Sequence, residues 1–152
     1  LVRNDLSKIC EQGSVHVSEL FGIYSFPQVH QMISTITGKV NDKVSFSEIL
    51  DATFPMGSMT GAPKKSVMET IDALEPTSRG LYAGTVGYFN PAGNFDFNVV
   101  IRSIFYNSET GQANYQVGGG ITIYSDPEKE YEECLLKAAA IKKVLTTEQT
   151  LQ

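Results

Sequence analysis

From Leu20 to Phe26 and again from Met32 to Val40, the residues are β-branched and aromatic with polar interruptions, which suits strands better than helices. Asn41-Asp42-Lys43 reads as a turn. Ser45-Phe46-Ser47-Glu48-Ile49-Leu50 reads as a helix start, with Ser45 or Ser47 able to accept from exposed backbone amides and an end near Pro55. A clearer helix opens at Thr60-Gly61-Ala62-Pro63-Lys64: Thr60 supplies a cap, and Pro63 stands in the first turn where its missing N–H does no harm. Val67, Met68, Ile71 and Leu74 then share one face, and Glu75-Pro76 stops the helix. Three strand-like runs follow, Leu81 to Phe89, Phe95 to Tyr106 and Ala113 to Ile123, joined through turn-type segments, so an antiparallel meander is predicted. Ser125-x-x-Glu128 has capping-box spacing and launches a last helix whose apolar stripe is Tyr131, Cys134, Leu135, Ala138, Ile141 and Leu145. Helices thus alternate with groups of strands, which predicts an α+β fold of layered sheet and helix.

No repeat, low-complexity tract or long Pro/Gly/Ser linker divides the 152 residues, and the chain reads as one unit. Twelve basic against 17 acidic side chains leave a net charge of −5, which disfavours a broad grip on nucleic acid while leaving a small anionic ligand open. No apolar run approaches the roughly 18 to 20 residues that span a bilayer, and no charged-then-apolar leader opens the chain. The expectation is a cytoplasmic protein away from membranes. Cys10 and Cys134 have no metal-type spacing and are expected as free thiols.

Several residues could carry chemistry. Glu130, Glu133 and Lys137 fall at i, i+3 and i+7, along one face of the last helix. Their carboxylates are hard ligands suited to magnesium; alternatively the face is solvated and Glu133 simply pairs with Lys137. Gly118-Gly119-Gly120 ends a strand just before that helix, where bare backbone lets N–H groups approach an anion, or where the strand merely bends. Arg102 interrupts an apolar strand and could fork onto a carboxylate, with the hydroxyl of Tyr82 as a partner; a wet-face Arg and a packing Tyr are the plainer readings. His16 and His30 have no Ser or Cys neighbour that would make a nucleophilic triad.

Taken in order, Val2-Arg3-Asn4-Asp5-Leu6, Phe54 through Lys64, Leu74-Glu75 with Arg79-Gly80-Leu81-Tyr82-Ala83-Gly84, Ile101-Arg102-Ser103, Gly118-Gly119-Gly120-Ile121 and Asp126 through Lys137 resemble the chorismate-utilising enzymes over essentially the whole chain. The blocks at Gly57 to Lys64 and Phe95-Asp96-Phe97-Asn98 are most similar to the aminodeoxychorismate synthase branch, which serves para-aminobenzoate and folate biosynthesis. The resemblance implies a Mg²⁺-dependent amination of chorismate to 4-amino-4-deoxychorismate, with ammonia from a glutamine amidotransferase subunit or supplied free. It implies that Glu133, with Glu130 close by, holds the metal. Arg102, Tyr82 and the Gly118-Gly119-Gly120 backbone, Gly120 foremost, would hold the enolpyruvyl carboxylate, and Ser58 and Lys137 would approach the ring carboxylate. It also implies the family's α/β sandwich, in which an antiparallel sheet is flanked by helices.

Two departures accompany the likeness. Relatives carry a catalytic His three residues before a strand Ser, and here His30-Gln31-Met32-Ile33-Ser34 puts Gln31 there, with His30 on the opposite strand face. That suits an enzyme that keeps the enolpyruvyl group; reduced activity is the alternative. The family's second metal glutamate and its nucleophilic lysine block lie upstream of Val2, so the chain is expected to be the C-terminal part of a chorismate-binding domain, and inactive alone. Anthranilate, isochorismate or salicylate synthesis, or a noncatalytic binding or assembly module, are the competing expectations.

Overall fold

The computed structural model describes residues 1–26 and 30–146 and divides into two compact units, Leu1–Leu74 and Glu75–Gln152. The composition is mixed α+β, with antiparallel strand pairs and helices in both units. Among the described residues no helix is long and apolar enough to cross a membrane.

The first unit begins with a short helix, α1 (Val2–Leu6), followed by the hairpin of β1 (His16–Ser25) and β2 (His30–Thr37). Register shifts at Val17/Glu19 and Glu19/Gly22 break the β1 ladder, and beside them Phe21 takes a left-handed φ of 56° while its N–H donates to the Ser34 hydroxyl at 3.0 Å. Helix α2 (Phe46–Thr53) is followed by a 3-10 turn at Gly57–Met59 and by α3 (Lys64–Leu74). Ile9 and Ala52 are buried here together with the carboxylate of Asp5. Lys64 Nζ lies 2.8 Å from Asp5 Oδ2 and donates to the Ala52 carbonyl at 3.5 Å, so one ammonium ties α1 and α2 to the start of α3.

Of the two candidate caps for α2, Ser45 is the one used. Its hydroxyl accepts from the Glu48 N–H at 3.4 Å, and the Glu48 carboxylate accepts from the Ser45 N–H at 2.8 Å. The Ser45 hydroxyl also donates to Glu48 Oε2 at 2.6 Å, and this bond, with the one from the Ser45 N–H, holds the Glu48 carboxyl below its ordinary value of 4.5. A carboxyl whose pKa is lowered by folding stabilises the fold above the unfolded value, and that contribution is lost as pH falls through the folded one. Ser45→Ala removes the helix cap and is expected to cost about 1 kcal/mol at neutral pH, the ordinary loss for such a cap. Urea unfolding should show the gap to the parent closing on acidification below pH 4.5.

The cap expected at Thr60 is not used. Helix α3 starts at Lys64, and the Thr60 hydroxyl donates back to the carbonyls of Met56 and Gly57 at 3.2 and 3.4 Å, closing the preceding turn. On the apolar face of α3, Val67 and Ile71 are half-buried, while Met68 and Leu74 are exposed.

The second unit holds the hairpin of β3 (Thr85–Phe89) and β4 (Phe95–Val99), the short pair β5 (Phe105–Asn107) and β6 (Gln112–Asn114), and helix α4 (Pro127–Thr146). Phe89, Phe95 and Phe97 meet in tilted and edge-to-face contacts on one hairpin face, with ring centroids 5.5 to 6.1 Å apart. Gly87 faces Phe97 across the ladder, where a Cβ would collide with the Asp96 carbonyl and the Phe97 ring. The predicted meander is broken into these two separate pairs. β4 ends at Val99, Arg102 takes a left-handed φ of 52°, and residues 115–123 join no strand. The apolar run ending in Ile121 and Ile123 lies open, 74% and 91% exposed, so its strand-like pattern finds no ladder partner among the described residues.

The capping box expected at Ser125 is also shifted by one residue. Asp126 Oδ1 accepts from the N–H groups of Glu128 and Lys129 at 3.0 and 3.2 Å, while the Ser125 hydroxyl accepts from the Thr122 N–H. The packed face of α4 differs from the predicted stripe as well. Glu130, Cys134 and Lys137 are half-buried and Ala138 and Ile141 buried, whereas Tyr131, Leu135 and Leu145 are exposed. The face that α4 turns inward thus carries a carboxylate and an ammonium.

Candidate functional site

The second unit draws many of the expected residues into one connected set. Because α4 starts at Pro127, Glu130 and Lys137 lie two turns apart on its inward face. Lys137 Nζ donates to the Gly118 carbonyl at 3.0 Å and pairs with Glu133 Oε1 at 2.5 Å. Glu130 reaches over the same glycine run, with Oε2 2.9 Å from where a Cβ on Gly119 would stand. The Tyr82 hydroxyl stands 3.2 Å from the corresponding position on Gly118. Side chains on either glycine would meet those oxygens, while Gly120 faces open space. Lys137 therefore anchors the loop to the helix, and the glycines let Tyr82 and Glu130 close on the backbone.

Tyr82 itself is set by the turn at Arg79–Tyr82, where its N–H donates to the Arg79 carbonyl at 2.9 Å. Burial pushes its phenol pKa up, and the cations of Arg79 and Lys137 oppose that push. Arg102 belongs to the adjoining segment. Two residues before it, the Val100 N–H donates to Gly84 and its carbonyl accepts from Ala83, both at 3.0 Å, so the loop bearing Arg102 is stitched to the block bearing Tyr82. The guanidinium-bearing residue is exposed.

The remaining expected residues lie in the first unit. Ser58 is exposed on the 3-10 turn and lines a cavity of about 370 Å³ with Arg3, Leu20 and Ile36 among its walls. Gln31 is exposed on β2 opposite Tyr24, and the neighbouring His30 ring shares a 2.9 Å hydrogen bond with the Ser25 hydroxyl. His16 is similarly occupied, with Nδ1 3.0 Å from the Ser14 carbonyl and Nε2 3.0 Å from the Thr37 hydroxyl. Both cysteines are free thiols.

Among the described residues no group of three or more His, Cys, Asp or Glu side chains could hold a metal ion. The acidic face of α4 offers two carboxylates one turn apart, Glu130 and Glu133. Magnesium commonly takes one or two protein carboxylates and fills its other positions with water and substrate oxygens, so this donor set fits a shared ion. Glu133 must then exchange part of its contact with Lys137 for the metal. The spacing of Glu130 and Glu133 is plain in the sequence, whereas the pairing of Glu75 with Arg79 was not expected from it. The Arg79 guanidinium donates to both Glu75 oxygens, lies over the Tyr82 ring and lowers the Glu75 carboxyl pKa by hydrogen bonding. An acid and an Arg four residues apart were the available signal.

Comparison with known proteins identifies the family. Residues 1–143 match the family described as chorismate binding enzyme. The chain is 43% identical over 145 residues to aminodeoxychorismate synthase component 1 of Escherichia coli, covering 95% of this chain and 32% of that protein. It is 48% identical over 140 residues to the chloroplastic aminodeoxychorismate synthase of Arabidopsis thaliana, covering 92% of this chain and 15% of that protein. The structure matches the crystal structure of anthranilate synthase component I from Streptococcus pneumoniae with a TM-score of 0.82 and 34% identity, covering 91% of this chain and 32% of that one. The chain spans less than a third of the length of each of these three proteins. With this match over nearly its whole length, the chain belongs to the chorismate-binding enzyme family.

Proposed function

We propose that this chain is part of an aminodeoxychorismate synthase and supplies much of its chorismate site. The observation that carries the branch is the 43 to 48% identity, over more than nine-tenths of the chain, to proteins of that name from a bacterium and a plant. The reaction exchanges the C4 hydroxyl of chorismate for nitrogen from ammonia, releasing water and keeping the enolpyruvyl ether. A glutamine amidotransferase subunit delivers the ammonia; the bacterial relative's designation as component 1 supports a second component.

In this reading Arg102 and Tyr82 hold the enolpyruvyl carboxylate, the first by a charge-assisted fork and the second by its hydroxyl, with backbone N–H groups at Gly118, Gly119 and Gly120 on the same side. Lys137 approaches the ring carboxylate. Glu133 and Glu130 would hold Mg²⁺, and the ion, when bound, would supply positive charge to offset the ring carboxylate and the charge that develops on the C4 oxygen. Lys137 also sets the spacing between the anion-binding loop and the carboxylate helix, because its ammonium bonds both Gly118 and Glu133. Gln31 in place of the family's His is consistent with an enzyme that does not eliminate pyruvate.

The test is product identity. The full-length protein, supplied with chorismate, Mg²⁺ and ammonia, is expected to yield 4-amino-4-deoxychorismate by mass, with no pyruvate detected by a coupled lactate dehydrogenase assay. Anthranilate or salicylate together with pyruvate, or isochorismate, would reject the branch assignment.

A further inference from the structure

We propose that Glu75 and Arg79 form a positioning pair for Tyr82: a forked ion pair that holds a guanidinium against the phenol ring and so fixes where the hydroxyl stands. This rests on the assignment of Tyr82 to the substrate carboxylate made above. Arg79 Nε donates to Glu75 Oε2 at 2.9 Å and Nη2 donates to Oε1 at 2.6 Å, engaging both carboxylate oxygens. A planar guanidinium held at two points keeps a defined orientation, which an ammonium would not. Its Cζ lies 5.9 Å from the Tyr82 ring centroid, within the range where a cation is attracted to an aromatic face.

The local chain supports the same arrangement. Glu75 follows directly on α3, and Gly80 takes a left-handed φ of 55°, which lets the chain turn so that the Tyr82 N–H reaches the Arg79 carbonyl. Gln116 Nε2 donates to the Ser78 carbonyl at 3.3 Å, fastening this turn to the segment that leads into Gly118. At the other end the hydroxyl of Tyr82 stands beside Gly118, whose carbonyl is held by Lys137. The ring is therefore fixed from its face by Arg79 and bounded at its hydroxyl by the glycine loop. A phenol free to swing would present its hydroxyl to the substrate only part of the time, and binding would weaken accordingly.

The test uses the full-length protein and the variants Arg79→Gln, Arg79→Lys, Tyr82→Phe and the Arg79→Gln/Tyr82→Phe double. Arg79→Gln and Tyr82→Phe are each expected to raise KM for chorismate about tenfold with kcat within about twofold, and the double variant should be no worse than Tyr82→Phe alone. Arg79→Lys, which keeps the cation without the fork, should recover part of the loss. A readout without substrate accompanies this: in ring-labelled tyrosine NMR the Tyr82 signal, identified by its loss in Tyr82→Phe, should move in Arg79→Gln while that of Tyr88 stays. An unmoved Tyr82 signal, or KM effects that multiply in the double variant, would overturn the pair. A moved signal with unchanged KM in Tyr82→Phe would keep the pair and reject the substrate assignment.

Discussion

Replacing Asp5 by alanine is expected to destabilise the first unit by about 3 kcal/mol, the low end for breaking a buried ion pair. The Asp5 side chain is only 5% exposed and that of Lys64 16%, with 2.8 Å between carboxylate and ammonium. Removing the carboxylate leaves a largely buried Lys64 ammonium with the Ala52 carbonyl at 3.5 Å, too little to replace a charge. The low end applies because Lys64 keeps some contact with water. Lys8 also approaches Asp5, at 3.3 Å, but its side chain is 51% exposed, so Lys8→Ala should change stability by less than about 0.5 kcal/mol. Asp5→Leu combined with Lys64→Met should cost less than Asp5→Ala alone, because no unpaired charge remains. Urea midpoints of the full-length protein and these variants measure all three effects. Equal losses in Lys8→Ala and Asp5→Ala would refute the buried pair as the source.

Glu133→Gln is expected to have the opposite profile, a large loss of activity with little loss of stability. Its side chain is 50% exposed and its partner Lys137 33%, so the ion pair between them contributes under about 1 kcal/mol to folding. Glutamine keeps the shape and can still accept from Lys137. What it lacks is the negative charge that a divalent ion requires, and Mg²⁺-dependent turnover of chorismate by the full-length protein should fall by about 100-fold or more. Initial rates across a magnesium titration, beside urea unfolding of the same variant, separate the two roles. Turnover near the parent level would remove Glu133 from the metal site. Lost turnover together with a collapsed urea midpoint would mean that the pair with Lys137 is structural.

Much of this architecture was legible because it depends on neighbours along the chain. Strand patterning placed β1 to β3 and the start of β4, and helical periodicity placed α2, α3 and α4, each to within a few residues, whereas β4 ends at Val99 rather than at Tyr106. Caps were less legible, since Ser125 and Asp126 both offer an acceptor oxygen and only the start of α4 at Pro127 decides between them. Periodicity placed Cys134, Ala138 and Ile141 on the inward face of α4 but also counted three residues that do not pack there. An apolar stripe marks what must be covered by something, and Tyr131, Leu135 and Leu145 lie exposed in this chain while Lys137 turns toward Gly118. The spacing of Glu130, Glu133 and Lys137 could be read directly. The pairing of Lys137 with Gly118, 19 residues away, and of Asp5 with Lys64 could not, because contacts across loops leave no local period. The broken meander has the same cause: the strand-like run ending at Ile123 records a propensity, and a ladder needs a partner that propensity does not supply.

Chorismate and magnesium must share one site if Glu133, Glu130 and the glycine loop act together. Calorimetric titration of the full-length protein with chorismate, with and without saturating Mg²⁺, measures the coupling between them. Ligands sharing a site through a carboxylate-bound ion must each raise the other's affinity by the same factor. Mutual enhancement of tenfold or more, abolished in Glu133→Gln, is the predicted result. Chorismate affinity that is indifferent to Mg²⁺, or absent altogether, would contradict the site and favour a structural role for the glycine loop and the acidic helix.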